Sequence, residues 1–337
     1  MKLDIDLIRK VTCGIASAEY KDGKFYFYRF NAEEMSYYSQ TQFAAKSNAT
    51  AGVEMQFETD ATALCLSGTV SAASSRTYYS IDVLKNGEFI GDIKNFNMDE
   101  MIPDYVQNKY KAGDFSARFE LDGGIKSVRV VLPWSHAAYL YEVRLVGATF
   151  VKPIKKTKSM LIYGDSITQG YDAESSYLSY ASRLSDSLDA NALNKGIGGE
   201  IFVPALSAIK NDIKPDYITV AYGTNDWFHS TGREDFIKRA ESFYKNLSKN
   251  YPESKIFAIS PIWRQGTEGK VSNVGDFFEI RKIIKKIADS LENVIFIDGF
   301  DLVPHNTEYF ADLRLHPRNI GFEFYAENLV RKIKEYI

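Results

Sequence analysis

Cysteine, histidine and any excess of one charge are scarce in this chain of 337 residues. Its two cysteines, Cys13 and Cys65, cannot build a disulfide framework, and neither stands in a CxxC or a mixed Cys/His metal pattern. Two buried thiols are expected, with a single Cys13–Cys65 bridge as the alternative. Only four histidines occur, His136, His229, His305 and His316, which nearly excludes a three-histidine metal site, and there is no HExxH. Lysine and arginine number 41 against 44 aspartates and glutamates, a formal net charge of -3. The broad positive field that nucleic-acid binding requires is therefore missing. No stretch reaches the roughly 20 apolar residues of a membrane span. The opening residues Met1-Lys2-Leu3-Asp4-Ile5-Asp6 lack the basic and apolar regions of a signal peptide. These absences predict a cytoplasmic protein with neither a nucleic-acid nor a membrane partner.

What remains is the composition of a globular protein, 45% hydrophobic and 25% charged. Its length suggests about two domains at roughly 150 residues each. Residues 1–152 are rich in short β-type runs separated by Gly, Asn, Asp and Ser: Lys24–Phe30, Val53–Glu58, Ala63–Ser67, Tyr78–Leu84, Ser127–Leu132 and Tyr141–Val146. Ser127–Leu132 alternates in polarity, as a half-buried strand does, and Lys85-Asn86-Gly87-Glu88 has the Asn-Gly signature of a hairpin turn. An all-β sandwich or jelly roll fits this texture. Lys152–Lys158 then reads as a solvated joint.

Residues 153–337 change to strand–helix alternation. Continuous apolar runs at Met160–Tyr163, Tyr217–Tyr222, Ile256–Ile259 and Val294–Ile297, with a weaker one at Ala192–Asn194, suit parallel strands buried on both faces. Phe277, Ile280, Ile284, Ile287 and Leu291 form one helical stripe, and Phe322, Tyr325, Leu329, Ile333 and Ile337 a second. The expected fold class is α/β, a three-layer α/β/α sandwich of flavodoxin-like type preceded by the all-β domain.

Ligands of such sheets gather beyond the carboxyl ends of the strands. Those ends carry Gly164-Asp165-Ser166, Gly198-Gly199, Gly223-Thr224-Asn225-Asp226, Trp263-Arg264 and, on the last loop, Asp312 and His316-Pro317. A serine hydroxyl needs a neighbouring base to become a nucleophile, and histidine serves best near neutral pH. A carboxylate would orient that histidine, while glycine N–H groups and a carboxamide would stabilise an oxyanion. These are the parts of an acyl-transfer site.

The four ordered blocks resemble those of the SGNH (GDSL) hydrolase superfamily, over nearly all of the second domain. The domain layout is similar to that of two-domain carbohydrate esterases. The resemblance implies Ser166 as nucleophile and His316 as base. It places the N–H groups of Ser166 and Gly199 and the Asn225 side chain in the oxyanion hole. It also implies a short-acyl, most simply acetyl, ester of a small carbohydrate as substrate, with no metal or organic cofactor. The alternatives are a lysophospholipase or thioesterase, and a non-catalytic carbohydrate-binding protein. One departure stands out, because the family's last block reads Asp-x-x-His, whereas position 313 is Leu and the acid is Asp312. Either a one-residue insertion preserves a triad with Asp312, or a Ser–His dyad operates with a backbone carbonyl orienting His316.

Trp227, Trp263 and Arg264 are candidate pocket walls, with packing as the competing role for the two rings. Asp165 and Asp226 suit turn-stabilising hydrogen bonds better than a metal site. His229 is placed either beside the pocket or on a surface helix, and His136 and His305 in structural or exposed positions. Ser135-His136 adjoin in sequence, which does not make them a catalytic pair. Gly196-Ile197-Gly198-Gly199-Glu200-Ile201 lacks the last glycine of a dinucleotide fingerprint.

Overall fold

In the computed structural model, which describes residues 1–97 and 109–337, the chain divides into two compact units. The first comprises Met1–Lys156 with Glu174–Tyr177, the second Thr157–Ala173 with Leu178–Ile337.

The first unit consists mainly of two antiparallel sheets. One runs in the order Ser17–Lys21, Lys24–Tyr28, His136–Val146, Ala63–Ala72, Asp114–Glu120. The other runs Thr12–Cys13, Glu54–Thr59, Lys126–Val131, Ser80–Lys85, Glu88–Lys94, with Val151–Pro153 also paired to Glu54–Thr59. Alternation along the strands sends one set of side chains into a core that the two sheets share. Met55, Phe57, Ile81, Val83, Val128 and Val130 from one sheet join Leu64, Leu66, Val70, Leu140, Val143 and Leu145 from the other. At the expected hairpin Asn86 and Gly87 have φ of 53° and 85°, the left-handed pair of a type I′ turn. Short helices at Ile5–Val11 and Ala32–Ser39 complete the unit, the second closed by a capping box between Asn31 and Glu34. Cys13 and Cys65 form no disulfide and are half-buried. The expected joint begins later than its charge run suggested, because Val151–Pro153 is still held by ladder hydrogen bonds.

The second unit is built on a parallel sheet of β1 (Lys158–Gly164), β2 (Ala190–Asn194), β3 (Tyr217–Ala221), β4 (Lys255–Ile259) and β5 (Val294–Ile297), in the order β2-β1-β3-β4-β5. This is the flavodoxin-like order, and all five strands deliver their carboxyl ends to one edge. Helices α1 (Tyr180–Ser187), α2 (Arg233–Asn250), α3 (Phe277–Ala288) and α4 (Asn319–Lys334) accompany it. Leu161, Ile218, Val220, Ile256 and Ala258 of the sheet pack with Phe236, Ala240, Phe243 and Leu247 of α2 and Ile280 and Ile284 of α3. Met160 and Ile162, whose side chains alternate to the opposite face, are equally buried. α1 and α4 pack on each other through the Tyr180 and Tyr325 rings, stacked at 4.1 Å. The last apolar stripe stops short of its expected end: Ile333 is buried in α4, while Ile337 lies beyond the helix and is exposed. Among the described residues no helix is long and apolar enough to cross a membrane.

Candidate active site

β1 runs into a four-residue helix, Ser166–Gln169, whose N-cap is Asp165; the carboxylate accepts the Ile167 N–H at 3.0 Å. Burial pushes the Asp165 carboxyl up to about 6, the Ile167 N–H and nearby His316 opposing the shift. Asp165 thus serves the turn. Ser166 is the first helical residue, so its own N–H has no partner within the helix.

The loop after β2 folds against this helix. Asn194 donates its amide to the Thr168 carbonyl at 2.8 Å and accepts the Gly196 N–H at 2.9 Å. The Gln169 side chain accepts the Gly198 N–H at 2.8 Å. A Cβ at Gly198 would lie 2.6 Å from the Tyr171 ring, so this glycine makes room for the tyrosine. Gly199 follows at φ 88°, a left-handed conformation natural to glycine, and is exposed. No described residue accepts a hydrogen bond from its N–H.

Asn225 lies on the short helix Thr224–His229 after β3 and is half-buried. Its amide donates to the Glu200 carbonyl at 3.0 Å, which brings the carboxamide beside Gly199. Asp226 on the same helix is turned away into the core. It accepts from the Arg239 guanidinium at 2.9 Å and from the Phe202 N–H at 3.2 Å. Burial raises its carboxyl to about 6 against the pull of Arg239.

The last loop brings the remaining groups together. His316 Nε2 lies 2.9 Å from Ser166 Oγ, and His316 Nδ1 lies 2.9 Å from Asp312 Oδ2. The four-residue spacing, one longer than the family block, is absorbed at Leu313, whose φ of 54° turns the loop back on itself. The other carboxylate oxygen, Asp312 Oδ1, accepts the N–H groups of Arg314, Leu315 and His316 at 3.0, 2.6 and 3.1 Å. Burial alone would raise the Asp312 carboxyl. The hydrogen bond and charge of His316, with the N–H groups of Leu315 and His316, outweigh it and hold the carboxyl well below the ordinary carboxylate range. An ionised Asp312 accepts from Nδ1–H, which leaves Nε2 as the acceptor for the serine hydroxyl.

Three wall candidates take a different place. Trp227 is 2% exposed, donates its indole N–H to the Gly275 carbonyl at 2.9 Å and packs on Phe277. Trp263, 7% exposed, is stacked on His305 and packs at a tilt against Phe310. Arg264, 3% exposed, donates to the Thr224 hydroxyl at 2.9 Å and lies over the Phe228 ring. Burial and the neighbouring Arg314 charge lower its guanidinium to about 10. All three side chains are buried and engaged in packing, the competing role given above for the two rings.

His229 is exposed at the end of its helix. His305 is exposed and bonds the Phe300 carbonyl. His136 is buried in the first unit, where burial lowers it to about 4. The neighbouring Ser135 hydroxyl donates to the Tyr78 carbonyl at 2.6 Å, and so faces His136 Nδ1, 2.8 Å away, as an acceptor. That pair has no activated hydroxyl.

One residue that sequence reasoning passed over joins the site. Asp172 Oδ2 stands 3.3 Å from His316 Nδ1, with its side chain fully buried. Its signal was position alone, six residues after Ser166 on the same strand-end loop. Among the described residues Asp172, Asp312 and His316 are the one group that could offer a metal three ligand atoms, all within 4.8 Å. Their proximity is already accounted for by the contacts of His316 Nδ1.

Residues 162–324 match the model of the GDSL-like Lipase/Acylhydrolase family. The second unit is therefore a domain of that family, and the class defined is a GDSL/SGNH hydrolase. Among curated proteins none matches the chain by sequence. The fold is similar to that of the salicylyl-acyltransferase SsfX3 from a tetracycline biosynthetic pathway, with a TM-score of 0.77 at 20% identity over 96% of this chain and 94% of that one. It is similar also to a GDSL-like lipase from Bacteroides ovatus ATCC 8483, with a TM-score of 0.76 at 16% identity over 99% and 97%. A family two carbohydrate esterase from Clostridium thermocellum, solved in complex with cellohexaose, gives 0.65 at 16% identity over 85% and 93%.

Proposed function

We propose that this protein is a serine esterase that removes acetyl or similarly short acyl groups from a carbohydrate ester through an acyl-enzyme. The observation that carries the proposal is the relay from Ser166 Oγ to His316 Nε2 and from His316 Nδ1 to Asp312, each step 2.9 Å. In this reading Ser166 Oγ attacks the ester carbonyl while His316 Nε2 takes its proton. Asp312 holds the tautomer and offsets the charge of the imidazolium. The N–H groups of Ser166 and Gly199 and the Asn225 amide receive the oxyanion, each worth about 3–4 kcal/mol in comparable sites. His316 then returns the proton to the leaving sugar hydroxyl. In the second half it deprotonates water, which attacks the acyl-serine, and the proton goes back to Ser166 Oγ as the carboxylic acid leaves. Every proton and charge is handled by side chains and N–H groups of this chain.

The carbohydrate part of the reading is supported by the family two carbohydrate esterases whose fold is similar. The experiment is a substrate screen that compares acetylated mono- and oligosaccharides with lysophosphatidylcholine, an acyl-coenzyme A thioester and p-nitrophenyl esters of increasing chain length. Acetate should be released from the sugars, and kcat/KM on the nitrophenyl esters should be highest for acetate and fall with each lengthening of the acyl chain. Preference for the long-chain phospholipid or the thioester would overturn the assignment.

A further inference from the structure

The loop that leaves the nucleophile's helix returns to the histidine. Gly170 and Tyr171 both donate their N–H groups to the Ser166 carbonyl, at 3.1 and 2.9 Å, and Ala173 donates to the Gly170 carbonyl at 3.1 Å. The turn passes through Gly170 at φ 111° and Asp172 at φ 72°. The second is a left-handed conformation that aspartate accepts more readily than most residues. From this turn the Tyr171 ring stacks on the His316 ring, with centroids 5.6 Å apart and planes 28° from parallel. The Asp172 carboxylate reaches the imidazole edge, 3.3 Å from Nδ1, while Asp312 approaches the same nitrogen at 2.9 Å. The Asp312 side chain keeps 21% of its exposure, and that of Asp172 keeps none.

We infer that Asp172 is a second positioning carboxylate for the base, which holds His316 Nδ1–H jointly with Asp312 and favours the imidazolium as it forms. The inference rests on the esterase reading above. Its physical basis is that the Tyr171–Asp172 turn hangs from the Ser166 carbonyl, so face and edge of the imidazole are referenced to the residue that carries the nucleophile. A buried carboxylate acts on the imidazolium with little screening by water. Among the described residues Asp165 also interacts with His316, and Arg264, beside Arg314, interacts with both Asp165 and Asp312. Removal of the Asp172 charge leaves these in place and makes the imidazolium less stable.

The test uses the full chain with p-nitrophenyl acetate, comparing wild type, Asp172→Asn, Asp312→Asn and the double variant across pH. Asparagine also accepts the left-handed backbone, and Asp172→Ser carries the same readouts if the first variant is unstable. Asp172→Asn should lower kcat by about ten- to a hundredfold, leave KM little changed, and move the acid limb of the kcat–pH profile to lower pH. In the Asp312→Asn background the same change should remove most of the remaining turnover. Unchanged kcat, or a lower kcat with the acid limb in its wild-type place, would overturn the inference while leaving the esterase reading intact. Wild-type protein without Ser166-dependent turnover would overturn both.

Discussion

Alanine at position 166 should lower kcat on p-nitrophenyl acetate by about 10⁴- to 10⁶-fold. The serine supplies the oxygen placed 2.9 Å from His316 Nε2, and its loss removes the acyl-enzyme route altogether. His316→Ala should cost nearly as much, because a serine hydroxyl without a base is a poor nucleophile at neutral pH. The double variant should be no slower than the worse single one, since both act in one step and their effects do not add. Thermal unfolding of each variant should stay near that of wild type, as neither side chain belongs to the apolar core. Turnover by Ser166→Ala within tenfold of wild type would contradict the assignment of the nucleophile.

Asn225→Ala should have the next largest effect, a fall in kcat of about 10²- to 10³-fold with little change in KM. One amide hydrogen of Asn225 is engaged with the Glu200 carbonyl at 3.0 Å, which fixes the carboxamide and leaves its second hydrogen for substrate. A donor held in advance costs no reorganisation when the oxyanion develops, so its contribution belongs to the transition state. Steady-state kinetics on p-nitrophenyl acetate distinguishes this from a binding role. A raised KM at unchanged kcat would mean that Asn225 serves ground-state binding and not the oxyanion.

Much of this arrangement was legible in the residues. The five parallel strands announce themselves as continuous apolar runs because both faces are covered, and their ends bring Ser166, Gly199, Asn225 and the His316 loop to one edge. The sandwich strands show through alternation and through Asn86-Gly87. Less legible was whatever depends on backbone conformation in loops. The four-residue gap between Asp312 and His316 leaves triad and dyad open on paper. The left-handed turn at Leu313 brings the carboxylate to Nδ1 despite the extra residue. Asp172 reaches the same nitrogen only through a left-handed backbone of its own, which no spacing rule registers. Trp227 illustrates an ambiguity of another kind. An aromatic just past a strand end can face a ligand or the core, and only the Gly275 carbonyl that receives its indole N–H decides for the core.

The central claim, that Ser166 is activated by His316 for covalent acyl transfer, is tested most directly by labelling with a fluorophosphonate, followed by peptide mapping. A single adduct on Ser166 is predicted, with esterase activity lost in step with labelling. The adduct should be absent from Ser166→Ala and form far more slowly in His316→Ala. Complete loss of activity with the label on another residue, Ser135 included, or full activity after Ser166 is labelled, would contradict it.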